Sequence, residues 1–339
     1  MTEVRAATAP AAAAERRPLR PLSDRILARL PGARALWIAL WALVPWLNAG
    51  ANLLLDTDTS AVWEQSRLLV FLNYAALSLA VFVALWGAGR IARRLERLRA
   101  TTAEVLEGAS GASFPGMNSV AGPLLASVAT AIVFGVVAFV RDGWAAALLR
   151  GATWLLLGIA LWTFLWTYVS LQFGLDRLGR ERLRPDAAHG DPGLGVRPLG
   201  GVAFMGLWML LVWLVPVLLT GLPDVAGVAL GMLVLAGGLA AFFLSLVRLH
   251  RQMVAVKARE LALARDLYAQ AYEPLRAEPS LEVLEQQQRL LGAADSLEQR
   301  ARGIHEWPIE EGTFARVLTI TTSVIAMTIA RLILDPLGL

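Results

Sequence analysis

Seven apolar runs, each long enough to cross a bilayer, constrain the fold of this chain more than any other feature. A transmembrane helix needs roughly 20 mostly apolar residues, and the hydrocarbon core admits only helices and closed barrels. Because the runs are too long for buried strands, they predict an all-α, polytopic membrane protein with seven transmembrane helices. The windows are 35–55, 68–88, 119–140, 151–173, 200–219, 225–247 and 314–334.

The composition agrees with this interpretation. Of the 339 residues, 57% are hydrophobic and only 17% are charged, whereas soluble domains carry about 25% charged residues. The chain has no cysteine, which excludes disulfides, thiolate nucleophiles and cysteine-ligated metals. Residues 1–34 lack the short apolar core of a cleaved signal. We expect them to form a largely disordered cytoplasmic segment with a short amphipathic piece at 22–30.

The basic residues predict the orientation. With the N-terminus placed inside, 26 of the 31 Lys and Arg residues fall in the inner segments and 3 in the outer segments. Because cytoplasmic segments of membrane proteins are enriched in these residues, we expect a cytoplasmic N-terminus and an external C-terminus in the plasma membrane. The outer loops are short, so specific binding is expected within the membrane or on the cytoplasmic side. No nucleic-acid partner is expected.

Residues 248–303 carry the periodicity of a two-helix coiled seam. Apolar residues recur at intervals of three, four and seven, with Leu263 and Leu290 among the expected seam residues. Pro274 and Pro279 bracket a short segment, which predicts a cytoplasmic antiparallel hairpin turning within 273–279. The predicted organisation is therefore an N-terminal segment (1–34), a six-helix bundle with basic cytoplasmic loops (35–247), the hairpin (248–303), and an elbow with the last helix (304–339).

The predicted elbow joins the hairpin to the last span. Gly303 is expected to end a helix in the left-handed conformation, Trp307 to lie at the headgroup level, and Pro308 to rigidify the bend. Since Pro308 also interrupts the helix that a zinc-binding spacing would need, we predict no metal or cofactor site here. The elbow residues are Gly303, His305, Trp307, Pro308, Glu310 and Glu311.

The last span carries one face of small and hydroxylated residues: Thr319, Thr322, Ser323, Ala326 and Ala330. Small residues favour close helix packing in membranes, and hydroxyl groups can also line a polar path. The face is therefore expected either to pack against another helix or to line a pore. Near the outer end of the span, Arg331 precedes Asp335 by four residues, which predicts a charge pair at the outer surface.

The second span ends in a basic helix. Its arginines are expected to contact anionic lipid headgroups, at ~1 kcal/mol for each arginine near the surface. They are Arg90, Arg93, Arg94, Arg97 and Arg99.

The fourth span contains the segment T-Y-x-x-x-Q-F at 167–173, which resembles a signature of the insect chemoreceptor channels. The predicted layout also resembles that channel class: seven spans, an internal N-terminus and a helical cytoplasmic insert before the last span. Many unrelated folds share such a layout, so it assigns no family. In this chain the signature lies in the fourth span, whereas the channels carry it in the last.

Three functions are consistent with these features. The first is a channel-like or transport-type homo-oligomer with the last helix near the conduction path. The second is a membrane-anchored scaffold or signal-relay protein that binds a cytoplasmic protein through 248–303. The third is a membrane-embedded enzyme, but no nucleophile–base pair or metal-ligand cluster supports it, so we expect no enzymatic activity. Carboxylates are absent from the centres of the spans, which argues against a proton- or sodium-coupled transporter.

Overall fold

The computed structural model describes residues 18–54, 67–105, 114, 116–181, 183, 191–216, 225–277, 281–309 and 311–334. In this part of the chain the regular structure is helical and contains no strand, which confirms the all-α prediction. The helices are α1 Leu22–Leu27, α2 Arg34–Ala42, α3 Val44–Leu54, α4 Arg67–Val105, α5 Ala121–Asp142, α6 Trp144–Leu178, α7 Arg197–Pro216, α8 Val225–Ala277, α9 Leu281–Gly303 and α10 Glu311–Leu334.

Five of the described helices are long and apolar enough to cross a bilayer. Their apolar segments are Val70–Arg99 in α4, Ala121–Asp142 in α5, Trp144–Leu178 in α6, Arg197–Leu214 in α7 and Gly231–Ala277 in α8. They correspond to the second to sixth predicted windows and are compatible with a multi-pass integral membrane protein. The first and seventh windows are not among them.

The first apolar window is divided between two helices. α2 ends at Ala42 and α3 begins at Val44. Pro45 has no N–H, and its ring crowds the carbonyl four residues earlier, so it interrupts a continuous helix. The chain makes a tighter turn at this point, in which the Trp46 N–H donates to the Leu43 carbonyl at 3.0 Å. The single helix predicted for the first span is therefore wrong.

The central helix of the bundle is α6, which is buried along most of its length. Its Phe164 and Leu171 are completely buried. Neighbouring helices approach it at glycines: a methyl group on Gly87 of α4 would lie 3.3 Å from the Phe164 ring, and one on Gly206 of α7 would lie 2.9 Å from Leu171. Small residues at such positions allow close packing between helices in membranes.

A tight connection joins α5 to α6. Gly143 alone separates them and has a φ of 85°, a conformation that glycine adopts without steric cost. Across the pair, Phe134 stacks on Trp154 with ring centroids 3.9 Å apart. Arg150 forms an ion pair with Asp142 at 3.0 Å. These contacts hold the two helices side by side, while much of the apolar surface of α5 remains exposed.

The second half of α8 extends beyond the bundle. α8 ends only at Ala277, with Pro274 inside its final turn. The turn predicted over 273–279 therefore does not begin where we expected, because a proline near a helix end removes one backbone hydrogen bond without breaking the helix. Residues 278–280 lie outside the described part of the chain.

Alanines form the contact between α8 and α9. Ala264 and Ala271 of α8, and Ala294 and Ala301 of α9, are each at most 1% exposed. The members of each pair lie seven residues apart and therefore share one helix face. Between the two alanines of each pair, the Tyr268 hydroxyl of α8 donates to a carboxylate oxygen of Glu298 of α9 at 3.1 Å.

Two leucines expected in this seam lie outside it. Leu263 is 49% exposed and Leu290 is 37% exposed. The alanine faces allow the helix axes to approach closely, and Leu263, one position before Ala264, is displaced toward solvent. Leu290 precedes Ala294 by four residues, and nothing in the structure explains its exposure. The placement of these two leucines in the seam was therefore wrong.

Candidate functional site: the elbow and the last helix

The elbow begins where α9 ends, at Gly303. The left-handed conformation predicted for Gly303 is wrong, because the described glycines with positive φ are Gly32, Gly116, Gly143 and Gly195. The helix instead ends through a tight bond in which the Ile304 N–H donates to the Ala301 carbonyl at 3.2 Å. Such a bond satisfies one of the last carbonyls of the helix without a left-handed residue.

Backbone and side-chain contacts attach the elbow to α8. The His250 ring stacks on Trp307 with centroids 4.1 Å apart. His250 Nδ1 lies 2.8 Å from the Glu306 carbonyl oxygen, and since a carbonyl only accepts, Nδ1 carries the proton. Lys257, one heptad beyond His250, forms an ion pair with the Glu306 carboxylate at 3.1 Å.

A second attachment is made to the start of α7. Pro308 and Ile309 are buried. A methyl group on Gly200 would lie 2.7 Å from the Pro308 carbonyl carbon and 2.9 Å from Ile309 Cγ2. The backbone of the elbow thus occupies the space that Gly200 leaves free, and no side chain larger than hydrogen fits there without displacement.

The remaining predicted elbow residues are less constrained. The His305 side chain is exposed, and its backbone N–H donates to the Pro192 carbonyl at 3.0 Å. Glu310 lies outside the described residues, and Glu311 is the first residue of α10. Within the described residues, no three His, Asp or Glu side chains gather in a metal-binding arrangement.

Sequence reasoning did not identify His250, Lys257 and Gly200 as parts of the elbow. His250 and Lys257 lie seven residues apart on α8, which is consistent with a shared helix face. However, neither this spacing nor the presence of a glycine in α7 predicts which segment of the chain packs against these residues. Their role depends on a return of the chain across 248–309, which only the tertiary structure reveals.

The small and hydroxylated face of α10 is exposed. Its five predicted members, Thr319, Thr322, Ser323, Ala326 and Ala330, all lie on this exposed side. The opposite side of the helix carries the buried residues Val317, Thr321 and Val324. Two hydroxyls bond within the helix: Thr319 donates to the Ala315 carbonyl at 2.9 Å, and Ser323 donates to the Thr319 carbonyl at 2.8 Å.

The predicted outer charge pair cannot be placed, because Asp335 and the side chain of Arg331 lie outside the described residues. The basic end of α4 is described. Arg90, Arg93 and Arg97 are exposed on one face, and Arg94 is exposed near Gly201 of α7. Arg99 forms an ion pair with Glu96 at 3.1 Å.

The polar residues of the fourth window are buried between α6 and α8. The Tyr168 hydroxyl donates to the Gly238 carbonyl at 2.7 Å. Ser245 donates to the Gln172 side-chain oxygen at 2.7 Å. These hydrogen bonds connect the two helices and account for Tyr168 and Gln172 through packing within the chain, whereas the Thr167 hydroxyl bonds to the Thr163 carbonyl of its own helix.

The chain was compared with protein families, with curated proteins and with solved structures, and none matches it.

Proposed function

We propose that this chain forms a channel-type homo-oligomer in which the hydroxylated face of α10 lies between subunits, close to the conduction path. The proposal includes seven spans, a cytoplasmic N-terminus, an external C-terminus and residence in the plasma membrane. In this arrangement α8 and α9 form the antiparallel cytoplasmic hairpin. The order of apolar segments in the sequence favours conduction as the function. The exposure of the hydroxylated face of α10 supports the same function.

The observation that carries the proposal is the division of α10 into two sides. Val317 and Val324 pack against the bundle, whereas Thr322 and Ala326 face away from it. If the small face served packing within one subunit, it would be the buried side. Because it is the exposed side, a neighbouring subunit or a water-filled path is the environment that suits it.

The elbow supplies a coupling route for this proposal. Its attachments to Gly200 of α7 and to His250 and Lys257 of α8 lie immediately before α10. A displacement of the α8–α9 hairpin would therefore move the start of α10. Two rigid elements joined by a short, buried connection transmit motion more directly than a solvated loop.

The experiment combines oligomeric state with flux. Purified protein is sized in detergent by light scattering and then reconstituted into liposomes for ion flux. The variant Thr322→Leu adds bulk on the hydroxylated face and should reduce flux by about tenfold or more while the oligomer persists, because narrow pores are sensitive to their lining residues. Leu318→Phe is the matched control, since Leu318 is exposed on the flank of the same helix.

A monomeric protein without flux would contradict the proposal. Equal flux in Thr322→Leu and in the wild type would show that α10 does not line the conduction path.

A second function, a membrane-anchored scaffold or signal relay, is supported by exposed leucines on α8 and α9. Leu263, Leu284 and Leu290 are exposed on the part of the chain that extends from the bundle. Contiguous exposed apolar patches are typical of sites that bind another protein, so this alternative requires the leucines to form one such patch. Under this alternative, Leu263→Ser with Leu290→Ser would abolish binding of a cytoplasmic protein, whereas Thr322→Leu would have no effect on it.

A further inference from the structure

One exposed face of α4 changes from apolar to basic within a single helical turn. Its residues are three or four positions apart and therefore share one side of the helix: Leu79, Phe82, Trp86, Arg90, Arg93 and Arg97, all of them exposed. At the change, the Arg90 guanidinium lies 4.7 Å from the centroid of the Trp86 ring. Tryptophan followed by arginine is the pattern of a membrane–water boundary.

The N-terminal helices bring a second set of charges to this boundary. Asp24 of α1 and Arg34 at the start of α2 form an ion pair beside Gly89 of α4, the residue that precedes Arg90. Arg34 Nη1 also donates to Asp24 Oδ2 at 3.2 Å. A methyl group on Gly89 would lie 2.6 Å from Asp24 Oδ1. The ion pair therefore occupies space that only a glycine leaves free.

Positive charge exceeds negative charge at this place. Asp24 interacts electrostatically with Arg20, Arg34 and Arg93, and Arg93 interacts in turn with Arg90 and Arg97. Three guanidinium groups thus interact with the carboxylate of Asp24, and two more lie close enough to Arg93 to repel it. Burial raises the pKa of the Asp24 carboxyl, and the nearby arginines only partly oppose this effect. One carboxylate therefore faces several guanidinium groups, and an additional anion would relieve the repulsion among the arginines.

We call the group formed by Arg34, Arg90 and Arg93 the basic notch. Exposed apolar surface continues from it along α4, where Leu79 and Phe82 lie on the same exposed face as Arg90 and Arg93. A ligand that bound here would meet guanidinium groups at one end and apolar side chains at the other. This combination suits an amphipathic anion better than a small, fully hydrated one.

We propose that the notch formed by Arg34, Arg90 and Arg93 binds the phosphate of an anionic phospholipid, with the acyl chains lying along the exposed apolar face of α4. Guanidinium groups bind phosphate oxygens through paired, charge-assisted hydrogen bonds. The arginines of α4 were expected to contact lipid headgroups in general, and the proposal specifies the residues that bind one phosphate group. It rests on membrane insertion and is independent of conduction.

The test uses the full chain, delipidated in detergent and titrated with phosphatidylglycerol, phosphatidylcholine or inorganic phosphate. Binding is measured from the rise in the thermal midpoint with ligand concentration. We expect phosphatidylglycerol to stabilise the wild type more than phosphatidylcholine or phosphate does. Arg93→Gln should weaken phosphatidylglycerol binding by about fivefold or more. Arg259→Gln is the matched control, because Arg259 is an exposed arginine on the distant part of α8.

A second variant, Gly89→Ala, retains every charge and displaces the ion pair. It should also weaken phosphatidylglycerol binding. If this variant fails to fold, the binding measured for Arg93→Gln tests the proposal by itself. Unchanged phosphatidylglycerol binding in Arg93→Gln, or equal stabilisation by phosphatidylcholine, would overturn the proposal. Equal stabilisation by inorganic phosphate would identify a free-anion site and overturn the assignment to a lipid. Since flux is not the readout, none of these outcomes depends on the channel proposal.

Discussion

Helices α6 and α10 both carry hydroxylated residues on apolar segments, but they place them in opposite environments. In α6, Tyr168 and Gln172 are buried and form hydrogen bonds with α8. In α10, Thr319 and Ser323 are exposed and bond to carbonyls of their own helix. Tyr168 and Gln172 of α6 therefore have partners on another helix, whereas the described hydroxyl bonds of α10 make no contact between helices.

The difference shows that polar residues in apolar helices do not all have the same role. A buried polar side chain that bonds to another helix contributes to stability through that contact. An exposed hydroxyl that bonds to its own backbone contributes little to stability, so its role depends on what lies outside the chain. For this reason we assign a structural role to the polar residues of α6 and place the proposed conduction path at α10.

The largest expected effect compares one leucine from each helix. Leu171→Ala in α6 should lower the free energy of unfolding by about 2–5 kcal/mol, because it leaves a cavity around a fully buried side chain. Leu318→Ala in α10 should cost about 0.5 kcal/mol or less, because Leu318 is 60% exposed. Both values can be measured by unfolding in mixed detergent. Equal losses would show that α10 is packed as firmly as α6, which would contradict the comparison.

An intermediate effect is expected at the attachment between the bundle and α10. Gly200→Ala should cost about 1–3 kcal/mol, because its methyl group would overlap the Pro308 backbone. The adjacent Gly201→Ala is the matched control, since the nearest atom that its methyl group would meet is Arg94 Nη2, at 3.7 Å.

The chain contains no cysteine, so a single cysteine at the buried residue Ile309 reports the docking of the elbow. Maleimide labelling at this position should accelerate by about tenfold in Gly200→Ala, because 1.4 kcal/mol corresponds to a factor of ten. In Gly201→Ala the labelling rate should remain that of the parent. The same rate in both variants would mean that the elbow is not held by Gly200.

The smallest expected effect compares two hydroxyl groups. Tyr168→Phe removes the hydrogen bond to Gly238 and should cost about 0.6–1.7 kcal/mol, the range found for interhelical hydrogen bonds in membranes. Thr319→Val removes a hydroxyl that bonds to its own helix and should change the unfolding free energy by less than about 0.5 kcal/mol. If Thr319→Val proved the more costly substitution, the hydroxyl would have a partner outside α10.

Much of the helical content could be predicted from hydropathy. The second to sixth windows correspond to α4, α5, α6, α7 and α8, because long apolar runs have few alternatives in a lipid environment. The first window did not become one helix, although Pro45 was visible in the sequence. A proline has a stronger influence on backbone hydrogen bonding than the apolar character of its neighbours does.

The candidate site was predicted less completely. The elbow does begin at Gly303, and Trp307 and Pro308 lie within it. Its contacts with Gly200, His250 and Lys257 could not be predicted, because these residues come from two other helices. Leu263, expected between α8 and α9, was wrong for a related reason: periodicity identifies a helix face, but the size of the residues on neighbouring faces decides which one becomes the contact.

The sequence by itself determined that this chain is helical and rich in apolar segments, where its basic residues gather, and which residues share a face of α10. These properties depend on local composition and spacing, which do not require a partner. Only the tertiary structure decided that Tyr168 and Gln172 of α6 bond to α8, that the elbow rests on Gly200, and that the hydroxylated face of α10 points away from the bundle. Each of these depends on residues far apart in the chain, and packing between helices selects among faces that the sequence leaves equivalent.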